Sequence, residues 1–238
     1  GQTIVATGQI TITGGGGGTD NPARIISLGT QNISAPSMTL TGGAGGTYNH
    51  AQIYSDGDQQ ISTSTPAGIT IQGGAGTSYG NYAQIRHDSG GGDQAISVYG
   101  GGAVALLAGS GSGTTTSNPN LVPAACASDP ACFAKPVTGD WAGISSSAGN
   151  QLITFQAAGT LSITGGSGGN ANKAFISNSA AGSQTIAGLP AITLTGGSSG
   201  GNNYQTTDTF HYLRNNASIF SPSGAQDISG TSLTILGA

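Results

Sequence analysis

Apolar residues in this chain recur at every second position, in short runs broken by glycine and small polar residues. The shortest such unit is Gln-x-Ile, which occurs at Gln2/Ile4, Gln31/Ile33, Gln59/Ile61, Gln94/Ile96, Gln151/Ile153, Gln184/Ile186 and Gln226/Ile228. A second alternating run follows each one: Ile10/Ile12, Met38/Leu40, Ile69/Ile71, Val104/Leu106, Leu161/Ile163, Ile192/Leu194 and Leu233/Ile235. After six of the seven comes a third, of the form Asn/Asp-x-Ala-x-Ile, beginning at Asn21, Asn49, Asn81, Asp140, Asn172 and Asn215. A period of two is the signature of a half-buried strand, and no run has the 3.6 spacing of a helix.

One triplet of strands cannot bury its apolar side, whereas triplets stacked on one another can. The chain is therefore expected to be all-β: a right-handed parallel β-helix, a solenoid with three short strands per coil. The whole of 1–238 reads as one domain of about seven coils, starting near residues 2, 31, 59, 94, 151, 184 and 226, in a rod roughly 30 Å long at a strand spacing of about 4.8 Å. Successive glutamines are 29, 28, 35, 57, 33 and 42 residues apart. The excess falls between second and third strands and predicts two loop insertions on one flank, 108–139 and 198–214.

Like positions should then lie above one another. The isoleucines of Gln-x-Ile form one interior column, the paired aliphatics of the second strand form two more, and the Ala and Ile of the third strand close the interior. Gln2, Gln31, Gln59, Gln94, Gln151, Gln184 and Gln226 are expected to form a structural ladder of paired amides, because a lone buried amide is costly. The Gly-Gly pairs after the second strands, such as Gly42-Gly43 and Gly73-Gly74, are expected to supply positive φ at sharp corners. None opens a helix or precedes Lys-Ser/Thr, so they are not phosphate loops.

Composition adds limits. The chain has 44 Gly among 238 residues, 6% charged residues, no Glu and a net charge of −4. Five basic residues give no footprint for nucleic acid, and no apolar run is long enough for a membrane span. No basic, apolar leader starts the chain, so any secretion signal is expected to have been removed. Cys126 and Cys132 fit one disulfide pinning the first insertion in an oxidising compartment, or two unrelated thiols. Zinc would need further ligands that the surrounding sequence does not supply.

On the outside, Thr11, Thr39, Thr70, Ser162, Thr193 and Thr234 share one column, as ordinary exposed-strand threonines do. The outward columns of the third strand collect large side chains: His50, Tyr54, Tyr82, Arg86, Trp141, Lys173 and Phe175. This is a candidate contact face for stacked sugars or another protein. The second insertion adds a candidate contact loop with Tyr204, Phe210, His211 and Tyr212. For catalysis the best cluster is Asp56 and Asp58 near His87, Asp88 and Asp93 at the third corner. Turn chemistry explains those aspartates equally well. No catalytic residue, metal ligand or cofactor is assigned.

The unit Gln-x-Ile, Ile-Thr-Ile/Leu-Thr-Gly-Gly, Asn-x-Ala-x-Ile, as at Gln184-Thr185-Ile186 and Ile192-Thr193-Leu194-Thr195-Gly196-Gly197, resembles the repeats of filamentous-haemagglutinin-like bacterial proteins. That resemblance implies an exported, rod-like protein of the bacterial surface or matrix, often adhesive. The chain opens on a repeat and stops after a second strand without a covering cap. Unlike open ends stacked head to tail yield a filament. The expected function is thus a non-enzymatic, extracellular structural protein whose partner is itself, in a head-to-tail homopolymer open to lateral bundling. The alternatives are an adhesin that binds glycans or a cell surface through the aromatic face, and a polysaccharide-degrading β-helix enzyme.

Overall fold

A computed structural model of the chain describes residues 1–75, 80–88, 91–111, 139–167, 172–197 and 215–237. In chain order its strands are β1 (Gln2–Val5), β2 (Ile10–Thr13), β3 (Ala23–Ser27), β4 (Gln31–Ala35), β5 (Met38–Thr41), β6 (Ala51–Ser55), β7 (Gln59–Thr63), β8 (Ile69–Gln72), β9 (Ala83–His87), β10 (Gln94–Val98), β11 (Ala103–Leu107) and β12 (Ala142–Ser146). They continue with β13 (Gln151–Thr164), β14 (Ala174–Asn178), β15 (Gln184–Thr195), β16 (Ala217–Phe220), β17 (Gln226–Ile228) and β18 (Ser232–Leu236). Among the described residues there is no helix.

The protein is all-β, and each strand pairs in parallel with its counterpart in the neighbouring repeats. Gln2 aligns with Gln31, Gln31 with Gln59, Gln59 with Gln94, Gln94 with Gln151, Gln151 with Gln184 and Gln184 with Gln226. The third strands form a separate six-stranded sheet in the order β16-β14-β12-β9-β6-β3. Its register places Ala over Ala and Ile over Ile from Ala23 and Ile25 to Ala217 and Ile219.

One expectation is corrected. The first and second strands were expected to be separate short elements in every repeat. In the repeats starting at Gln151 and Gln184 they run together as β13 and β15, of 14 and 12 residues, which joins both strand series into one twelve-stranded sheet. The corners of the earlier repeats lie outside the ladder, whereas β15 keeps the positive-φ Gly188 and Pro190 within it. Between β13 and β15 the backbones stay paired round the bend, from Phe155 with Gly188 to Ala158 with Leu189, the two extra residues of β13 forming an irregularity.

The role of the Gly-Gly pairs is corrected too. Gly42, Gly43, Gly73 and Gly74 do not have positive φ. They are required because the chain passes too close for a side chain: a Cβ on Gly42 would lie 2.0 Å from the Asn81 carbonyl oxygen, and one on Gly43 would lie 2.3 Å from that of Gly15.

The core follows the alternation. Ile33, Ile61, Ile96, Ile153 and Ile186 are buried in one column, against Leu40, Ile71, Leu106 and Ile163 of the second strands and Ile53, Ile85, Ile144 and Ile176 of the third. Burial weakens at both ends. Ile4, Ile10 and Ile25 are only partly buried, while Leu233 and Ile235 remain 59% and 70% exposed.

Candidate functional site

The polar residues of the repeat make continuous ladders. Each glutamine amide from Gln31 to Gln226 donates from Nε2 to Oε1 of the glutamine one repeat earlier, at 2.6–3.0 Å. In five repeats Nε2 also donates to a carbonyl of the third strand: Tyr54, Arg86, Ser145, Ser177 and Phe220. This dual pairing lets Gln31, Gln59, Gln94, Gln151 and Gln184 sit at 0–1% exposure without an orphaned donor. The seven glutamines stand in a single file.

A second ladder heads the third strands. The backbone N–H groups of Asn21, Asn49, Asn81, Asp140 and Asn172 each donate to the side-chain Oδ1 of the next member, Asn49, Asn81, Asp140, Asn172 and Asn215, at 2.8–3.0 Å. Asp140 is the one acid in this column. Asn81 and Asn172 use Nδ2 to donate to the carbonyls of Gly46 and Gly111, both at 2.9 Å. Asp140 has an oxygen there instead, and that Oδ2 is buried without a hydrogen-bond partner among the described residues. Burial raises its pKa from 3.8 to about 7, against the opposing pull of the Asn81 N–H. The sequence contained the signal, one Asp in a column of Asn, but nothing in the alternation gave its burial.

At the third corner each member of the proposed acidic cluster has a structural partner. The Tyr54 hydroxyl donates to Asp56, Arg86 pairs with Asp88 at 2.5 Å, and Ser147 donates to Asp88. Asp58 accepts the N–H of Asp93, and Asp93 accepts that of Asn150, at 2.9 and 2.8 Å. His87 points inward, fully buried, with Nδ1 2.9 Å from Ser146 Oγ. Burial lowers its pKa against the opposing pull of the Gly91 backbone and of the nearby Asp58, Asp88 and Asp93. Burial and the Asp56 hydrogen bond both raise that of Tyr54. The geometry is that of turns tied together, not of an acid and a base facing a common space. Among the described residues no group of three or more His, Cys, Asp or Glu is placed to hold a metal ion.

The aromatic face differs from its expected form. His50, Tyr82, Trp141 and Phe175 stack in series, with centroids 4.5, 4.2 and 5.3 Å apart; the first two pairs are within 7° of coplanar and the last is tilted by 36°. Phe175 lies one column away and leans over Gly143, where a Cβ would come within 2.7 Å of the ring. The ring faces in this ladder are spent on one another. Only 4%, 1% and 4% of the surfaces of His50, Tyr54 and Trp141 remain exposed, while Tyr82, Arg86, Lys173 and Phe175 are half-buried. Burial lowers the pKa of Lys173. Cys126, Cys132, Tyr204, Phe210, His211 and Tyr212 lie outside the described residues.

Charge is distributed unevenly. Arg24, Arg86 and Lys173 all belong to the third-strand side, whereas Asp227 is the only charged residue in any strand of the twelve-stranded sheet. The threonine column is real but interrupted, since Ala105 stands between Thr70 and Ser162. No helix among the described residues is long and apolar enough to cross a membrane. Comparison of the chain with protein-family models, with curated proteins and with solved structures finds no match.

Proposed function

We propose that this chain is a right-handed parallel β-helix that serves as a non-enzymatic structural rod, a subunit or segment of an extracellular bacterial filament extended by end-to-end stacking. The observation that carries the reading is the polarity of the glutamine ladder. Every step runs the same way, so one side of a layer offers an amide donor and the other an Oε1 acceptor. Like ends therefore do not match, whereas unlike ends do.

Two further observations support a structural role. The strands of the twelve-stranded sheet are almost free of charge, which suits lateral packing of rods, and the carboxylates of the third corner are tied into turns. The resemblance of the repeat to filamentous-haemagglutinin-like proteins supports a place outside the bacterial cell. Burial of the aromatic ladder makes glycan stacking the weaker reading, because a sugar needs a free ring face. Negative-stain microscopy of the purified chain over a concentration series tests the proposal. Unbranched filaments that lengthen with concentration are expected, and dispersed short particles at every concentration would refute it.

A further inference from the structure

The stacked rings on the outer face of the six-stranded sheet differ in how readily they lose an electron. Indole and phenol are oxidised easily, whereas benzene and imidazole resist oxidation at neutral pH. The stack places the easy pair at its centre. Tyr82 and Trp141 lie 4.2 Å apart by centroid and 3° from parallel, the closest contact of the series. His50 stacks on Tyr82 at 4.5 Å, and Phe175 leans over Trp141 at 5.3 Å. An electron vacancy on the central pair is thus stopped at either end by a ring that resists oxidation. The register holds this order, with Ala51, Ala83 and Ala142 aligned and His50, Tyr82 and Trp141 immediately ahead of them.

We propose that Trp141 and Tyr82 form a two-ring relay for an electron vacancy. A one-electron oxidant takes an electron from Trp141, Tyr82 replaces it, and a small one-electron reductant in solution restores Tyr82. Burial sets the two roles. Trp141 is only 4% exposed and is shielded from dissolved reductants, while Tyr82 is half-buried and within their reach. Chemistry sets the direction. At neutral pH a phenol gives up an electron and a proton together more easily than an indole does, so the vacancy moves from Trp141 to Tyr82.

The oxidant removes one electron from the Trp141 indole, whose Nε1 proton passes to water, leaving a neutral indolyl radical. One electron then crosses the stack from the Tyr82 phenol. The phenol proton goes to water and Nε1 regains a proton, so the indole is restored and Tyr82 is a phenoxyl radical. A reductant such as ascorbate supplies one electron and one proton to the phenoxyl oxygen. Tyr48 and Tyr54 stand outside the stack. The Tyr48 ring rests against Gly80, where a Cβ would meet it at 2.7 Å, and the Tyr54 hydroxyl donates to Asp56. Both relay rings belong to one chain, so the relay does not depend on filament assembly.

The test is transient absorption of the purified chain after a flash at the red edge of the indole band, which tyrosine does not absorb. Trp141 is the only tryptophan, so the flash addresses one ring. Pentaamminechlorocobalt(III) is present as the oxidant and keeps the electron it takes. The indolyl band is expected to decay at the rate at which a phenoxyl band grows. In Tyr82→Phe, which keeps a ring in the stack, the indolyl decay should slow about tenfold or more. Tyr48→Phe and Tyr54→Phe should behave as the parent does. Ascorbate should shorten the life of the phenoxyl band in proportion to its concentration. An unchanged indolyl decay in Tyr82→Phe, a phenoxyl band lost in Tyr48→Phe or Tyr54→Phe instead, or a phenoxyl band indifferent to ascorbate would each overturn the assignment.

Discussion

Replacing Asp140 by Asn should make the protein more stable at neutral and alkaline pH and leave it nearly unchanged in mild acid. Asp140 is fully buried in a column otherwise made of Asn, and its Oδ2 has no partner among the described residues. Its folded-state pKa is raised from 3.8 to about 7, so the folded protein holds this proton more tightly than the unfolded chain does. The stabilising contribution of the neutral acid is therefore complete below about pH 4 and is lost as pH rises through about 7. At about 1.4 kcal/mol per pH unit, the interval from 3.8 to about 7 corresponds to a loss on the order of 4 kcal/mol above the upper value. Asparagine carries no charge, and the equivalent Asn81 and Asn172 use Nδ2 to donate to a glycine carbonyl. Urea denaturation of both proteins by far-UV circular dichroism from about pH 4 to about pH 8.5 measures the effect, and taking the difference cancels the titration of the other carboxylates. The stability gap should open with pH and flatten above about pH 8. A gap independent of pH, or a variant less stable than the parent at about pH 8, would refute the argument. Asn81→Asp should reproduce the same pH dependence one layer away.

Other outcomes follow from the ladders and the core. Gln94→Met removes the middle of the glutamine file and leaves a buried donor on Gln151 and a buried acceptor on Gln59 unpartnered, so it should cost about 2–5 kcal/mol in denaturant titration, against less than about 1 kcal/mol for the exposed Gln60→Met. Ile96→Ala, in the fully buried column, should cost about 2–5 kcal/mol by the same measurement. Gly143→Ala places a methyl group against the Phe175 ring and should separate that ring from Trp141. Because Trp141 is the only tryptophan, its fluorescence should shift while far-UV dichroism is retained. Gly42→Ala, forced to within 2.0 Å of the Asn81 carbonyl, should be far more destabilising than Gly16→Ala, whose Cβ meets nothing within 4 Å.

The strands, their parallel register and the contents of the core were legible because a repeated sequence writes the same contacts in every layer, and Gln-x-Ile and Asn-x-Ala-x-Ile mark each layer. The corners were less legible. Nothing in Phe155-Gln156-Ala157-Ala158 states that its backbone stays paired to Gly188-Leu189, since that depends on the neighbouring layer. Glycine at positions 42 and 43 was read as conformational freedom, whereas the reason is the approach of another segment, which only the fold reveals. The outward column of His50, Tyr82 and Trp141 was also visible in the alternation. Period two gives the direction in which a side chain leaves its strand, but not whether its ring is then covered by the next one. Asp140 was missed as a titrating group for the same reason: its type is in the sequence, and its burial is a property of the assembled column.

The claim on which the account rests is that equivalent side chains sit directly over one another from layer to layer. Nuclear Overhauser contacts of the Gln94 side-chain amide, measured on selectively labelled protein in solution, test it most directly. The account predicts contacts to the side chains of Gln59 and Gln151 and to no other glutamine. Contacts to Gln60, or none to either neighbour in the file, would contradict it.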